Sequence, residues 1–348
     1  MSRLLDVTGG LTYEQTGVSI EAGDESVERI RDSVSSTQRP EVLGGIGGFG
    51  GLFALGSRFV DPVLVASADG VGTKLEVARR TGRYETVGVD LVAMLVDDLV
   101  CVGAEPLFVL DYVAVGHLDP ARLAALVEGV AAGCRRAGVA LLGGETAEHG
   151  GVMRADDLDL AGFAVGVVER GRELGPARVR EGDALIGLAS PGLRSNGYSL
   201  ARAVLAPEGA DLDAPAWDGA PVSVADELLR PSVIYAPAVV SLIEQLGDAV
   251  HACAHVTGGG IVGNVVRLLP EGLEATIDME SFVTPEIFFE IQRRGQVSAD
   301  EMTRVFNCGL GMVVAVDPGV VDDALAYAGP GASLVGAVRA GERRVVLR

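Results

Sequence analysis

The chain has 348 residues and a formal net charge of −20, from 48 acidic and 28 basic side chains, and 48% of its residues are apolar. This composition is typical of a soluble globular protein and excludes an intrinsically disordered one, while the acidic balance argues against a nucleic-acid or anionic-membrane surface. The length predicts two domains.

No targeting or membrane segment is evident in the sequence. Residues 1–6 lack a long apolar stretch, and no later stretch reaches about 18 uninterrupted apolar residues. We therefore expect a cytoplasmic protein. Its cysteines form no Cys-x-x-Cys pair, so we expect buried free thiols at Cys101, Cys134, Cys253 and Cys308.

The first predicted elements are a helix and a glycine-rich loop. Val27, Ile30 and Val34 have the spacing of one helical face. Residues 44–51 then read Gly-Gly-Ile-Gly-Gly-Phe-Gly-Gly, which contains Gly-x-Gly-x-x-Gly but follows no convincing strand, so a dinucleotide-binding turn is disfavoured. The segment is either a loop that closes over a ligand or a plain linker.

A chemically rich motif follows the apolar run Pro62–Ala66. The sequence Asp69-Gly70-Val71-Gly72-Thr73-Lys74 places a carboxylate, two glycines, a hydroxyl and an ammonium group in one turn. These groups suit a metal ion and a phosphate, although the hydroxyl precedes the lysine and the motif is therefore not a P-loop. The alternative is a glycine turn with an Asp and a Lys on the surface.

Acidic residues recur in the next two elements. Residues 86–102 have a helical apolar face accompanied by Asp90, Asp97 and Asp98, which are either functional or part of a solvated face. Residues 107–115 read as a strand buried on both faces, so Asp111 is either a functional carboxylate or a paired structural one.

The pattern of a strand followed by glycine, carboxylate and hydroxyl occurs a second time. A helix over 120–137 begins at Asp119-Pro120 and ends before Gly138, and a strand over 139–142 leads into Gly143-Gly144-Glu145-Thr146. Because carboxylates from separate loops can share a divalent cation, we expect Asp69 and Glu145 to converge on one. A strand over 159–168 precedes the predicted domain boundary.

The second half begins with a strand over 184–189. The polar segment 190–200 then connects this strand to a helix. The segment is either a ligand contact or a simple Asn-Gly turn. His251, Cys253 and His255 share one strand face; zinc would need a fourth ligand, so a buried strand with one functional histidine is the simpler account. Thr257–Gly260 opens a helix whose free amides could bind a phosphate.

Taken together, the ordered motifs resemble the phosphoribosylformylglycinamidine cyclo-ligase (AIR synthetase) family of purine synthesis. The matching segments span nearly the whole chain: Thr12-Tyr13, Gly17-Val18, Thr37–Pro40, residues 44–51, Asp69–Lys74, Asp90–Met94, Gly103–Leu107, Gly143–Glu148, Ser195–Tyr198, His255–Gly260 and Phe306-Asn307. The resemblance implies a mixed α/β (α+β) fold with an ATP- and metal-binding dimerisation domain over 1–169 and an α/β substrate-contacting domain over 170–348. It also implies a homodimer whose amino-terminal domains form a β-barrel, with an ATP and Mg²⁺ site near its interface.

The resemblance, read with the chemistry of the side chains, also assigns roles to residues. The expected metal ligands are Asp69, Asp98 and, more weakly, Glu145, and the expected catalytic groups are Lys74, Asn196 and His255. The expected ATP and phosphate contacts are Gly45, Gly47, Gly48, Gly50, Asp69, Gly70, Gly72, Thr73, Lys74, Asp90, Gly143 and Gly144. The expected substrate contacts are Arg194, Ser195, Asn196, His255, Thr257, Gly258, Gly259 and Gly260.

Four positions depart from the family pattern: Arg31 for lysine, Ala68 for threonine, Gly150 for proline and Arg194 for histidine. Ala68 is expected to remove a hydroxyl beside the metal site, and Arg194 replaces a titratable ring by a permanent cation. These changes leave open a paralogue that phosphorylates another small amide or phosphate substrate.

Relatives of the same fold are less similar. Selenophosphate synthetases carry a reactive Cys or selenocysteine in the amino-terminal glycine-rich segment, whereas residues 1–100 contain no cysteine here. Hydrogenase-maturation dehydratases end in a cysteine, whereas this sequence ends in Val-Val-Leu-Arg. Thiamine monophosphate kinase remains a weaker alternative, because the segments 195–198 and 255–260 resemble those of the cyclo-ligase. A non-catalytic binding subunit is disfavoured because Asp69, Lys74, Asp98 and Glu145 are all present.

Overall fold

The computed structural model describes residues 10–11, 13–45 and 47–348. Thr12, Ile46 and the segment 1–9 lie outside the described residues, so the expectations that involve them stay predictions. The described part folds into helices packed on a four-stranded and a six-stranded sheet. It contains no helix long and apolar enough to cross a membrane. Its four cysteines are free thiols, as expected; three are buried and Cys101 is only partly buried.

The first half of the chain builds the four-stranded sheet. Its helices are α1 (Ile20–Ser35), α2 (Leu75–Thr81), α3 (Glu85–Cys101) and α4 (Pro120–Ala137). Its strands are β1 (Val42–Leu43), β2 (Leu52–Phe53), β3 (Pro62–Gly70), β4 (Glu105–Val115), β5 (Ala140–Glu148) and β6 (Leu158–Glu169). The sheet order is β3-β6-β4-β5, and β1 and β2 pair only with each other. The sheet is open, so the residues that the structure describes in one chain form no closed barrel of the kind expected of a dimer.

The second half builds the six-stranded sheet, with order β12-β9-β11-β7-β10-β8. Its strands are β7 (Ala184–Ala189), β8 (Val250–His255), β9 (Leu273–Ile277), β10 (Leu310–Val316), β11 (Ala332–Ala340) and β12 (Val345–Leu347). Its helices are α5 (Tyr198–Leu205), α6 (Val224–Leu228), α7 (Ala236–Leu246), α8 (Gly260–Val265), α9 (Glu286–Gly295), α10 (Ala299–Val305) and α11 (Val321–Ala328). Neighbouring strands are antiparallel except β12 and β9.

Local chemistry explains where several elements begin and end. Helix α4 has the predicted bounds because the Asp119 carboxylate accepts the amides of Ala121 and Arg122, Pro120 occupies the first turn, and Gly138 adopts φ 69° at the carboxyl end. Strand β5 is longer than predicted: the segment Gly143–Glu148 was expected to be a loop but pairs with β4. Tertiary pairing overrides the weak strand propensity of its glycines.

Helix α3 connects the two halves of the molecule. It packs against β3, β6 and α4 of the first half and against α7 and β8 of the second. Its sequence is apolar on almost every side, as expected for a helix buried all round. Asp90 and Asp97 are nevertheless fully buried on it, whereas Asp98 is exposed. The solvated-face alternative is therefore wrong for the first two of these acids.

Candidate functional site at the junction of the two sheets

The fold brings Asp69, Asp98 and His255 together. Asp69 lies at the end of β3, Asp98 on α3 and His255 at the end of β8. His255 Nδ1 lies 2.8 Å from Asp98 Oδ1. Burial raises the pKa of Asp69, the negative charge of Asp98 raises it further, and His255 acts in the opposite direction. Three predicted site residues from three separate segments therefore form one electrostatically coupled group.

Arg194 closes this group from the second half of the chain. Its guanidinium lies 2.8 Å from Asp97 Oδ2 and 2.9 Å from His255 Nε2, and it stacks 4.6 Å from the centre of the Tyr235 ring. The residue is only 2% exposed. Its donors are thus directed into the protein, which does not support the predicted direct contact of Arg194 with substrate in this conformation.

The polar turn after β7 carries unpaired groups. Ser195 Oγ and Asn196 Oδ1 are buried and have no hydrogen-bond partner within the described part of the chain. A Cβ on Gly258 would lie 3.8 Å from Asn196 Nδ2, so the turn Thr257–Gly260 adjoins Asn196. Because buried polar atoms normally find partners, a polar ligand is the natural complement of this pair.

The turn Thr257–Gly260 requires glycine at its end. Gly260 has φ 62°, and a Cβ there would lie 2.0 Å from the Thr303 carbonyl oxygen. Gly258 and Gly259 remain exposed. Asn307, which the sequence analysis did not assign to the site, donates to the carbonyls of Gly192 and Leu193 and accepts from the Gly309 amide. It therefore fixes the turn that leads into Arg194.

Lys74 is the only lysine in the chain and is completely buried. Its Nζ lies 2.5 Å from Asp90 Oδ2, 2.8 Å from the Arg230 carbonyl oxygen and 3.1 Å from the Arg194 carbonyl oxygen. An ammonium group has three protons, and three acceptors surround this one. The predicted contacts of Lys74 and Asp90 with ATP phosphates are therefore not supported, and both residues join the two halves of the molecule instead.

Asp90 and Asp97 hold the segment that precedes α7. Asp90 Oδ1 accepts the Ser232 amide and hydroxyl, at 2.8 and 2.6 Å. About two turns further along α3, Asp97 Oδ1 accepts hydrogen bonds from the amides of Tyr235 and Ala236, both at 2.8 Å. Burial raises the pKa of both carboxyl groups, while Lys74 and Arg194 oppose that shift. The heptad spacing of these acids was visible in the sequence, but their partners were not.

The expected convergence of Asp69 and Glu145 is wrong within one chain. In the strand register, Asp69 pairs with Gly162, Gly162 with Asp111, and Asp111 with Gly144. Asp69 and Glu145 therefore lie on the two opposite edge strands of the sheet. Three strand spacings, or roughly 14 Å, separate these strands. Glu145 pairs with Tyr112, one residue beyond Asp111, and therefore faces the other side of the sheet.

The glycine segment lies at that distant edge. A Cβ on Gly51 would lie 2.4 Å from the Leu142 side chain, which places the end of the segment against β5. The predicted phosphate glycines Gly45, Gly47, Gly48 and Gly50 are exposed there. Gly143 and Gly144 lie on β5 and are therefore separated from Asp69 on β3 by the two central strands.

A cavity of about 470 Å³ lies beside Gly72 and Thr73, with Arg79, Arg202 and Asp159 among its other lining residues. Thr73 is exposed, in contrast to the buried Lys74 that follows it. Arg202 Nε is buried and has no hydrogen-bond partner within the described part of the chain. Sequence reasoning missed Arg202, although its position on the helix that follows Ser195–Tyr198 was a usable signal.

Three of the four departures from the family pattern lie away from this site. Ala68 precedes Asp69 on β3 and so faces the opposite side of the sheet, which corrects the expectation of a lost hydroxyl beside the metal site. Arg31 is exposed and pairs with Glu28. A Cβ on Gly150 would lie 2.8 Å from the Gly17 carbonyl oxygen, so this glycine allows a close approach of two segments. Only Arg194 belongs to the site.

The residues present fit a magnesium ion only in part. Among the described residues, no group of three or more His, Cys, Asp or Glu side chains could hold a metal ion, which also disfavours zinc at His251, Cys253 and His255. Mg²⁺ bound together with a nucleotide, however, commonly uses one or two carboxylates and takes its other ligands from phosphates and water. The coupled carboxylates of Asp69 and Asp98 meet that requirement.

Comparison with known proteins identifies the family. The AIR synthase related protein amino-terminal and carboxy-terminal domain models match residues 58–168 and 180–347. The phosphoribosylformylglycinamidine cyclo-ligase of Xanthomonas campestris pv. campestris strain B100 is 49% identical over 308 residues, which cover 88% of this chain and 90% of the relative. The corresponding protein of strain 8004 is 48% identical over the same shares.

Solved structures show the same fold at much lower sequence identity. A thiamine-monophosphate kinase from Stenotrophomonas maltophilia K279a has a TM-score of 0.66 at 21% identity, covering 93% of this chain and 95% of its own. The hydrogenase maturation protein HypE in complex with ATP has a TM-score of 0.62 at 16% identity, with coverages of 98% and 92%. The sequence relatives are far closer than these, and the chain therefore belongs to the phosphoribosylformylglycinamidine cyclo-ligase family of AIR synthase related proteins.

Proposed function

We infer that this protein is an ATP-dependent cyclo-ligase that closes the imidazole ring of formylglycinamidine ribonucleotide. The products are aminoimidazole ribonucleotide, ADP and phosphate. The 49% identity to a cyclo-ligase over 88% of the chain is the observation that carries this inference. The cluster of Asp69, Asp98 and His255 beside the unpaired Ser195 and Asn196 supports it.

The chemistry requires activation of a poor leaving group. The formyl oxygen of the substrate attacks the γ-phosphorus of ATP, ADP leaves, and the formamide nitrogen loses its proton as the C=N bond forms, which gives an iminophosphate. An amidine nitrogen of the same molecule then attacks the former formyl carbon. The former formyl oxygen leaves with the phosphate, and the attacking nitrogen loses a proton. The protein mainly has to position the reactants and neutralise phosphoryl charge.

We propose that Asp69 and Asp98 would hold Mg²⁺ together with ATP. When bound, the ion would offset the negative charge of the phosphates, which an acidic protein otherwise repels. Thr73, Gly72 and Arg202 lie around the adjacent cavity and supply a hydroxyl, an accessible backbone and an unpaired guanidinium nitrogen for a phosphate. Ser195, Asn196 and the turn Thr257–Gly260 would contact the ribonucleotide.

We also propose that the protein is a homodimer. The outward face of the four-stranded sheet exposes 62% of Leu64 and 51% of Phe163, and Ala66 and Ala68 are exposed on the same strand face as Leu64. A contiguous apolar face of this kind on a stable protein indicates a protein contact. The glycine segment and the β5 edge would then lie close to the partner.

The test is an assay with the natural substrate. We expect purified protein supplied with formylglycinamidine ribonucleotide, ATP and Mg²⁺ to release aminoimidazole ribonucleotide and phosphate in equal amounts. Asp69→Asn should remove turnover while far-ultraviolet circular dichroism stays unchanged. Absence of product at saturating substrate would refute the cyclo-ligase assignment, and normal turnover of the variant would refute Asp69 as a ligand.

A further inference from the structure

His255 lies between two groups with opposite hydrogen-bonding demands. Its Nε2 lies 2.9 Å from an Arg194 guanidinium nitrogen, and its Nδ1 lies 2.8 Å from Asp98 Oδ1. The side chain is only 3% exposed, so water does not replace either partner. A guanidinium N–H can donate but cannot accept. Nε2 must therefore accept, and Nδ1 must carry the proton that is donated to Asp98.

Arg194 cannot easily turn away from this arrangement. Arg194 Nη1 donates to the Val233 carbonyl oxygen at 2.8 Å. Arg194 Nη2, the nitrogen that faces His255, also lies 2.8 Å from Asp97 Oδ2. Asp97 is fixed in turn by two backbone amides. A proton on His255 Nε2 would face an N–H donor and place two cations in contact, at the loss of a buried hydrogen bond.

We propose that Arg194 is a positioning residue that fixes the Nδ1–H tautomer of His255, so that His255 orients Asp98 and does not accept a substrate proton through Nε2. The tautomer stands independently of the reaction, whereas the catalytic consequence rests on the proposed function. The hydrogen bond uses Asp98 Oδ1, while 47% of the Asp98 side chain remains exposed. His255 and Arg194 together thus set the orientation of the carboxylate that faces the ligands.

The tautomer is measured directly by long-range ¹H–¹⁵N correlation spectra of the histidine rings at neutral pH, without ligands. The chain has only four histidines, so His255→Gln identifies the relevant ring by its missing signals. We expect a protonated-type nitrogen at Nδ1 and an unprotonated-type nitrogen at Nε2. In Arg194→Met no donor faces Nε2, and Asp97 Oδ2 lies 3.9 Å from it, so the Nε2 signal should move toward the protonated type. An unchanged Nε2 signal in this variant would show that Asp98 alone fixes the tautomer and would overturn the role of Arg194. A proton on Nε2 in the unaltered protein would overturn the proposal.

A pair of substitutions tests the role of the ring. The amide nitrogen of His255→Asn lies near the former Nδ1 and can still donate to Asp98, whereas that of His255→Gln lies near the former Nε2. If His255 orients Asp98, kcat falls no more than about tenfold in the Asn variant, the cost of one weakened hydrogen bond, and much further in the Gln variant. If Nε2 is the proton acceptor, both variants lose about 10² to 10⁴ in kcat, which would overturn this role.

The two measurements separate the possible failures. Folding of both variants is checked by cooperative thermal unfolding before the rates are compared. If the unaltered protein forms no aminoimidazole ribonucleotide, the proposed function fails while the spectra still decide the tautomer. If it is active and the spectra show Nδ1–H, any result in which the Gln variant does not lose clearly more kcat than the Asn variant contradicts the positioning role.

Discussion

At the scale of single residues, Lys74 shows why one position uses lysine in a chain whose other basic side chains are all arginine. A compact ammonium group satisfies one carboxylate and two carbonyl oxygens in a closed site. A guanidinium has five N–H donors in a plane and would leave some of them unpaired in the same space. The single lysine is evident in the sequence, but the residues that accept its hydrogen bonds are not. They lie between 16 and 156 positions further along the chain.

Lys74→Met should therefore act on stability more than on nucleotide binding. It leaves Asp90 buried without its cation, and we expect the free energy of unfolding in urea to fall by about 3–5 kcal/mol. Lys74→Met combined with Asp90→Asn should recover part of that loss, because no charge is then left unpaired. A rise in KM for ATP with unchanged stability would contradict this assignment and favour a phosphate contact.

The burial of Lys74 can also be measured by the reactivity of its amine. An amine-acylating reagent should modify only the terminal amine of the native protein, and Lys74 should react after unfolding in guanidinium chloride. Peptide mass spectrometry locates the label. Rapid acylation of Lys74 in the native protein would show that the ammonium is accessible.

Asp111 carries a carboxyl group on β4 of the four-stranded sheet. It lies over Gly144, where a Cβ would be 1.6 Å from Asp111 Oδ1, and burial raises its pKa to about 7. The folded chain thus holds this proton more tightly than the unfolded chain does. Its contribution to stability is complete at low pH and is lost as the pH rises from 3.8 to about 7.

We therefore expect Asp111→Asn to stabilise the protein above neutral pH and to have little effect near pH 4, with a difference of at most about 4 kcal/mol. Urea unfolding of both proteins across this pH range measures it. A difference between the two proteins that does not change with pH would contradict the raised pKa.

At the scale of elements, the contact between α3 and α4 depends on small residues. A Cβ on Gly129 would lie 2.0 Å from the Glu85 carbonyl oxygen, and one on Gly88 would lie 2.2 Å from the Val130 amide nitrogen. The backbones of the two helices approach so closely that glycine is required on both. Since α3 carries Asp90, Asp97 and Asp98, this contact also positions the site.

Gly129→Ala should destabilise the protein by about 1–3 kcal/mol because the helices must move apart. Gly23→Ala is the matched control: Gly23 lies within α1 with nothing within 4 Å of its would-be Cβ, so the same substitution should stabilise by up to about 1 kcal/mol. Thermal unfolding of the two variants should give shifts of opposite sign. Equal shifts would show that helix propensity alone governs both positions.

The elements also show what could be predicted. Helix α4 and strand β7 have the predicted bounds because capping residues and a continuous apolar run determine them locally. Strand β5 and the partners of Asp90 depend on segments far away in the chain, which no local pattern reveals. Likewise, the motif after β3 predicted a site at Asp69, but only the register showed that Glu145 lies across the sheet.

At the scale of the whole molecule, the four-stranded sheet leaves one apolar face exposed. Phe163 on β6 is 51% exposed, and Leu64 on the neighbouring strand is 62% exposed. The opposite face of the sheet is covered by α3, so only this face remains for another subunit. The mass of one chain is 35.8 kDa, and we expect the protein to elute in light-scattering chromatography at twice that mass.

Phe163→Asp places a charge in the middle of this face and should convert the dimer into a monomer, because burying an unpaired carboxylate costs more than the contact returns. Phe289→Asp is the matched control, since Phe289 on α9 is 50% exposed but belongs to the second half of the chain. It should leave the mass unchanged. If both variants stay dimeric, the sheet face is not the interface; if both become monomeric, the effect is general destabilisation. Loss of turnover in the Phe163 variant alone would further indicate that catalysis requires the assembled dimer.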